Sequence, residues 1–344
     1  MLRRSITGVQ GTANRLRWQG AAGHYEVYYL TFTDRGSGCG AWIRYTMLAP
    51  QDTEQEPSCA LWFAAMDPSD PAARVARMQC RPISELKSTA DPFELQIGDS
   101  VLSQTGARGG FEDLAWDLRW TPSQGEYSHV DAVLERAHLA QTILRLPQAD
   151  LEIEGTLQWG DRRLELAGAR GGQAHLWGSK HARRWCWMHA SDLERLSGEQ
   201  RPGSWVDAVS VYLERFGREL GPSTPVLGRI GESEIESTGP VAVLANPSRI
   251  ALTGWSFTAR GGHDKLVVEV DAPREQLVGV TYHDPDGELA YCYHTDVASV
   301  RVRLLRRDTP IARWSEVETL VGERRAQFEY AQREPVPGIE LLVT

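Results

Sequence analysis

Apolar and polar residues alternate along much of the chain. Trp42, Arg44, Thr46 and Leu48 stand against Ile43, Tyr45 and Met47, and Leu114, Trp116, Leu118 and Trp120 stand against Ala115, Asp117 and Arg119. Leu266, Val268 and Val270, then Val300, Val302 and Leu304, recur at every second position. Side chains two apart share a face of a strand, so this period predicts half-buried β-strands. Turn-forming clusters separate them: Arg35-Gly36-Ser37-Gly38, Ala107-Arg108-Gly109-Gly110, Arg260-Gly261-Gly262 and Asp284-Pro285-Asp286-Gly287, the last placing a hairpin before a strand at 288–294. The best helical candidate is 128–146, where Val130, Val133, Leu134, Ala137 and Leu144 share a face. It has no clean caps and is followed by Pro147, and a long irregular connection fits it equally.

A chain of 344 residues exceeds one ordinary core, so two units are expected. The Gly-rich stretch 168–172 divides them into 1–170 and 171–344. Fixed-period repeats are absent from the sequence, which leaves an all-β protein of two packed units, each a barrel or sandwich.

Charge narrows the partners. A net charge of −9 and a pI near 5.6 disfavour nucleic acid and anionic membrane surfaces, whose binding needs clustered Lys and Arg. The start MLRRSITGVQG has no apolar segment behind its arginines, and the sequence contains no run of membrane-spanning length, so a cytoplasmic location without an integral membrane segment is expected. Five cysteines, odd in number and without a C-x-x-C pair, read as buried thiols. His175, His181 and His189, spaced by six and eight, fit no compact zinc pattern, and neither a phosphate-binding Gly-rich loop nor a Gly-x-Ser-x-Gly elbow stands out. The expectation is therefore no metal and no cofactor. Oligomeric state is not legible.

Twelve tryptophans are the unusual feature. Most read as core filling, and a few as the wall of a cavity for an apolar ligand. They are densest in 171–190, GGQAHLWGSKHARRWCWMHA. Here Trp185, Trp187 and His189 alternate with Cys186, Met188 and Ala190, and His175 and Trp177 project together. An imidazole beside an apolar cavity can act as general acid or base, and an indole face can stabilise a cation. The same pattern also suits a packed seam between two units, and both readings stand at this point.

The run His175, Trp177, Gly178, Trp185, Trp187 resembles the HxWG…WxW signature of the AttH, carotenoid 1,2-hydratase and tocopherol cyclase group. GAWIRYTMLAP (40–50) with ALWFAAMD (60–67), GGFEDLAWDLRW (109–120) and VTYHDPDGELAYCYHTDVASV (280–300) resemble the same group in the expected order. The resemblance implies two lipocalin-like β units with an apolar cavity. It further implies protonation of an isolated double bond, or the folding of a polyene for a pericyclic reaction. Members that protonate alkenes often carry an acid just before the His, where this chain has Ala174. Asp113, Asp117 and Asp284 are the substitute acids in family-like segments.

The function expected from these readings is binding of a lipophilic small molecule, a terpenoid, isoprenoid or polyketide, with isomerisation, cyclisation or hydration and no cofactor. A non-catalytic carrier of such ligands is the alternative, and a purely structural protein is a third; Ala174 favours the carrier or a pericyclic enzyme over a hydratase. The candidate catalytic residues are His175 and Asp117. The candidate substrate-binding residues are Trp177, Trp185, Trp187, Arg44 and Tyr282.

Overall fold

Strands dominate the computed structural model, which describes residues 12–123, 125–136, 140–215 and 218–344. Helix accounts for 6%, far below the roughly one-third of an average globular domain, so the alternation does specify a β protein. The first sheet starts at the edge with Val75–Pro82, Ser58–Met66 and Gly40–Ala49, and continues through His24–Thr33, Arg162–Gly178, Thr142–Trp159 and Leu114–Trp120. Shorter strands from Gly106–Phe111 back to Leu86–Ala90 complete it, and it curls into a nearly closed barrel. In the second sheet Trp205–Arg215, Arg184–Ala190, Ser315–Gln332, Leu289–Arg306 and Asp264–Asp271 lie side by side at the centre. Val278–His283 pairs with Leu289–Arg306 across the Asp284–Gly287 turn.

Each sheet buries one face in its own core. Tyr28, Leu30, Ile43, Tyr45, Phe63 and Trp116 fill the barrel interior, and Cys186, Met188, Val268, Val302 and Phe328 fill the second core. The alternate residues of the same strands meet in a third apolar layer between the sheets, built by Tyr25, Tyr29, Trp42 and Trp62 from one side and Trp185, Trp187, Tyr282 and Val280 from the other. A strand buried on both faces is what Trp42 opposite Ile43, or Trp185 opposite Cys186, requires.

Four expectations change. The boundary at 170/171 falls inside Arg162–Gly178, which belongs to the first sheet throughout; the chain crosses to the second sheet at 179–183. Its glycines are not a linker. A Cβ on Gly171 would lie 1.9 Å from the Thr31 carbonyl oxygen, and one on Gly172 would lie 2.9 Å from the His189 ring. Gly109 likewise lies within the strand Gly106–Phe111, where a side chain would strike Ser100 and Trp116. The helical reading of 128–146 holds only at Ala132–Arg136, with 137–139 outside the described residues. From Thr142 the chain is strand, and a register shift between Arg145 and Gln148 accommodates Pro147, which has no N–H to give a ladder. Cys80 is exposed, on the edge strand, whereas Cys39, Cys59, Cys186 and Cys292 are buried.

Candidate functional site

A cavity of about 290 Å³ lies in the layer between the sheets. Tyr25, Tyr29 and Trp42 from the first sheet face Trp185, Trp187 and Tyr282 from the second, and Leu144, Leu176, Val209 and Val211 complete an apolar wall. The wall runs from buried Trp42 and Arg44 to half-buried Lys180 and exposed Gln141. Among the described residues five groups in it carry proton-transfer or charge chemistry: His129, Lys180, His181, Glu329 and Arg44. Lys180 is held by Asp286 and Glu288, and His129 by Asp207.

His181 sits where the chain leaves one sheet for the other. Its backbone N–H and its Nδ1 both meet Asp284 Oδ1, at 3.0 and 2.6 Å. Asp284 opens the Asp-Pro-Asp-Gly hairpin turn and accepts Arg333 Nη1 on its other oxygen at 2.6 Å. Arg333 returns to the His181 carbonyl oxygen at 2.5 Å, closing the loop. Burial pushes the Asp284 carboxyl up, but the hydrogen bonds and charge of His181 together with Arg333 outweigh it and hold the group below the usual carboxylate range. The carboxylate thus fixes Nδ1 as a donor. The ring stacks on Tyr25 at 4.4 Å and on Trp185 at 5.4 Å, and its Nε2 has no hydrogen-bond partner among the described residues. That is a proton-transfer atom in an apolar wall, oriented from behind by a carboxylate.

Glu329 is the one carboxylate among the described wall residues. It accepts Trp185 Nε1–H at 2.6 Å and the Tyr282 hydroxyl at 3.3 Å, with His294 Nδ1 at 3.8 Å. Next to the cavity, Asp207 binds three donors: His129 Nε2 at 2.7 Å, His189 Nδ1 at 2.9 Å and Trp187 Nε1 at 3.2 Å. Burial raises the Asp207 carboxyl, and the two imidazoles more than reverse this, leaving it below its ordinary value. This node ties the segment before Thr142 to the second sheet and sets the plane of Trp187.

Of the residues singled out from sequence, Trp185, Trp187, Arg44 and Tyr282 are brought together in the cavity wall. His175, Trp177 and Asp117 are not among its lining residues. On Arg162–Gly178 the alternation sends Ala174 and Leu176 to the seam, so His175 and Trp177 face the other way. His175 stacks on Tyr28 of the barrel interior at 4.0 Å and is fully buried. Its Nδ1 meets the Ala13 carbonyl oxygen at 2.6 Å and its Nε2 meets Glu26 Oε1 at 2.8 Å. Trp177 is half-buried beneath Arg17, whose guanidinium carbon is 4.8 Å from the ring centroid. Asp117 is exposed on the barrel exterior, because Trp116 and Leu118 take the inward positions. Sequence reasoning weighed His181 only as a metal ligand and missed Glu329. The available signal for His181 was Asp284 itself, a turn carboxylate in a family-like segment.

Comparison with known proteins bears on the fold. No family model matches the chain. The uncharacterized proteins Rv0493c and MT0513 of two Mycobacterium tuberculosis strains are each 29% identical over 292 residues, covering 84% of this chain and 83% of the relative. Among solved structures, a putative AttH from Nitrosomonas europaea superposes with a TM-score of 0.52 at 10% identity, covering 90% of this chain and 93% of that one. Kievitone hydratase from Nectria haematococca superposes with a TM-score of 0.52 at 8% identity, covering 96% and 95%. The chain therefore has the lipocalin-like fold of these AttH-type proteins, as its HxWG…WxW run and the three other segments implied.

Proposed function

We propose that this protein binds a lipophilic small molecule in the cavity between its sheets and hydrates or isomerises it without a cofactor, using His181 as the general acid and base. The observation that carries this reading is His181 in the aromatic wall, its Nδ1 held by the buried Asp284 carboxylate and its Nε2 without a hydrogen-bond partner among the described residues. The wall's other imidazole, His129, is buried and bound through Nε2 to Asp207. A fold shared with a hydratase, kievitone hydratase, supports water addition as the reaction type. In that reaction the imidazolium Nε2–H passes to one carbon of a double bond. The indole and phenol faces of Trp185, Trp187 and Tyr282 stabilise the cation left on the other carbon. A water adds there and returns its proton to Nε2. Isomerisation uses the same first step and then loses a different proton to Nε2. His181 takes the role for which the resemblance suggested an acid at Ala174.

The test is to extract the purified protein with organic solvent, identify the retained compound by mass spectrometry, and incubate it with protein in heavy-oxygen water. Hydration predicts a product carrying the heavy oxygen, and isomerisation a shifted double bond without it. His181→Gln should keep binding while lowering turnover by about 10²–10⁴-fold, the usual contribution of general acid–base catalysis. A compound bound but unchanged by the native protein would make the chain a carrier.

A further inference from the structure

Arg44 is out of keeping with a cavity for a purely apolar molecule. It is 4% exposed and forms part of the cavity wall, and a buried cation requires a partner of opposite charge or a full set of hydrogen bonds. Other arginines at the contact between the sheets have one: Arg333 lies 2.6 Å from Asp284 and Arg325 lies 2.7 Å from Glu194. Arg44 has rings instead. Its guanidinium carbon lies 4.4 Å from the Tyr282 centroid, 4.7 Å from Trp42 and 5.5 Å from Trp62. Aromatic faces attract the charge but leave the N–H groups, which lie in the guanidinium plane, unmet. Nε and Nη1 are buried without a hydrogen-bond partner among the described residues. Glu329 adjoins the same Tyr282 but makes no ion pair or hydrogen bond with Arg44; its oxygens accept from Trp185 and Tyr282, and the nearest His294 nitrogen lies at 3.8 Å. Lys180, the other cationic residue of the wall, is bound to Asp286 at 2.7 Å and Glu288 at 2.9 Å.

We infer that the ligand is an amphipathic carboxylic acid, whose carboxylate is bound by the unpartnered N–H groups of Arg44 at the buried end of the cavity while its apolar body lies along the wall toward Lys180 and Gln141. This rests on the cavity being the ligand site, and it names the class of ligand. A planar guanidinium offers parallel N–H donors that match a carboxylate, which a neutral terpenoid or polyene does not use. Entry is head-first. The aromatic rings that hold Arg44 in place supply its orientation in advance of binding.

The experiment compares trans-parinaric acid with its methyl ester, which share a fluorescent polyene chain and differ in the carboxylate. Binding is read by energy transfer from tryptophan. The native protein is expected to bind the acid about tenfold or more tighter than the ester, as a charge-assisted pair predicts. Arg44→Met should abolish that preference by weakening the acid alone, and Arg44→Lys should retain part of it. The ligand-free Arg44→Met protein should melt at or above the native temperature, because the variant removes an unpaired buried cation. Equal affinity of the native protein for acid and ester would overturn this inference while leaving the apolar cavity intact. So would a preference that survives Arg44→Met, or a fall in melting temperature with the preference unchanged. Binding of neither probe would overturn the cavity reading and this inference together. The native comparison and Arg44→Lys decide the matter if Arg44→Met does not fold.

Discussion

Two histidines six positions apart have different surroundings, and the duties proposed for them follow from their partners. His175 is bonded on both ring nitrogens and shares Glu26 with His24 Nε2 at 3.1 Å, the Tyr28 hydroxyl at 2.9 Å and the backbone N–H groups of Arg17 and Trp18. Burial opposes the charge on Glu26, but the hydrogen bonds from His175 and His24, the His175 charge and the Arg17 N–H outweigh it and hold the carboxyl at about 2. A carboxyl depressed in the folded state stabilises above its unfolded value and loses that contribution as pH falls through the folded value. The loss runs from the ordinary 4.5 down to about 2. Denaturant titrations from pH 5 downward should show this loss, and Glu26→Gln should be less stable at pH 7 with a flatter acid limb. His175→Ala leaves Glu26 and Ala13 short of a donor and should cost about 1–3 kcal/mol without altering ligand affinity per folded molecule. His181→Gln should show the complementary pattern, with turnover lost and ligand affinity kept; its stability loss should stay within about 1–3 kcal/mol, from the ring stacking on Tyr25 and Trp185 and the Nδ1 bond to Asp284.

At the scale of the strand, the alternation in 42–48 and 184–190 was legible and so was the grouping of side chains on faces. Legible too was that His175 and Trp177 share a face; which face was not. Period two sorts residues into two sets, and naming the set that meets the ligand needs the packing of one sheet on the other, which is set by contacts far apart in sequence. Thr31 Oγ1 and Thr33 Oγ1, from one sheet, hydrogen-bond to Asp296 of the other, and Gln327 Nε2 reaches Thr33 Oγ1 at 2.8 Å. The glycines of 168–172 misled for a related reason. Composition marks a flexible residue, whereas the structure uses Gly171 for close approach to Thr31. Gly171→Ala should therefore cost about 1–3 kcal/mol in urea unfolding, the range for overpacking. Gly239→Ala should be near neutral, because a Cβ there meets nothing within 4 Å and φ is −64°.

At the scale of the molecule, three of the four family-like stretches converge on the layer between the sheets: Trp42 and Arg44 with Trp62, Trp185 with Trp187, and Tyr282 with the turn at Asp284. The fourth, 109–120, fills the barrel with Trp116 and Trp120. The cavity proposed as the site lies in the seam, so the two readings that the sequence left open coincide there. His181 escaped because 179–183 has no periodicity and its partner Asp284 is 103 residues away. The most direct measurement of this account is photolabelling with a small apolar aryl trifluoromethyl diazirine, mapped to residues by mass spectrometry. Labels on Trp42, Trp185, Trp187 and Tyr282, competed by the compound the protein retains, are the predicted result. Competed labels on Tyr28, Trp116, His175 or Trp177, with the seam unlabelled, would contradict it.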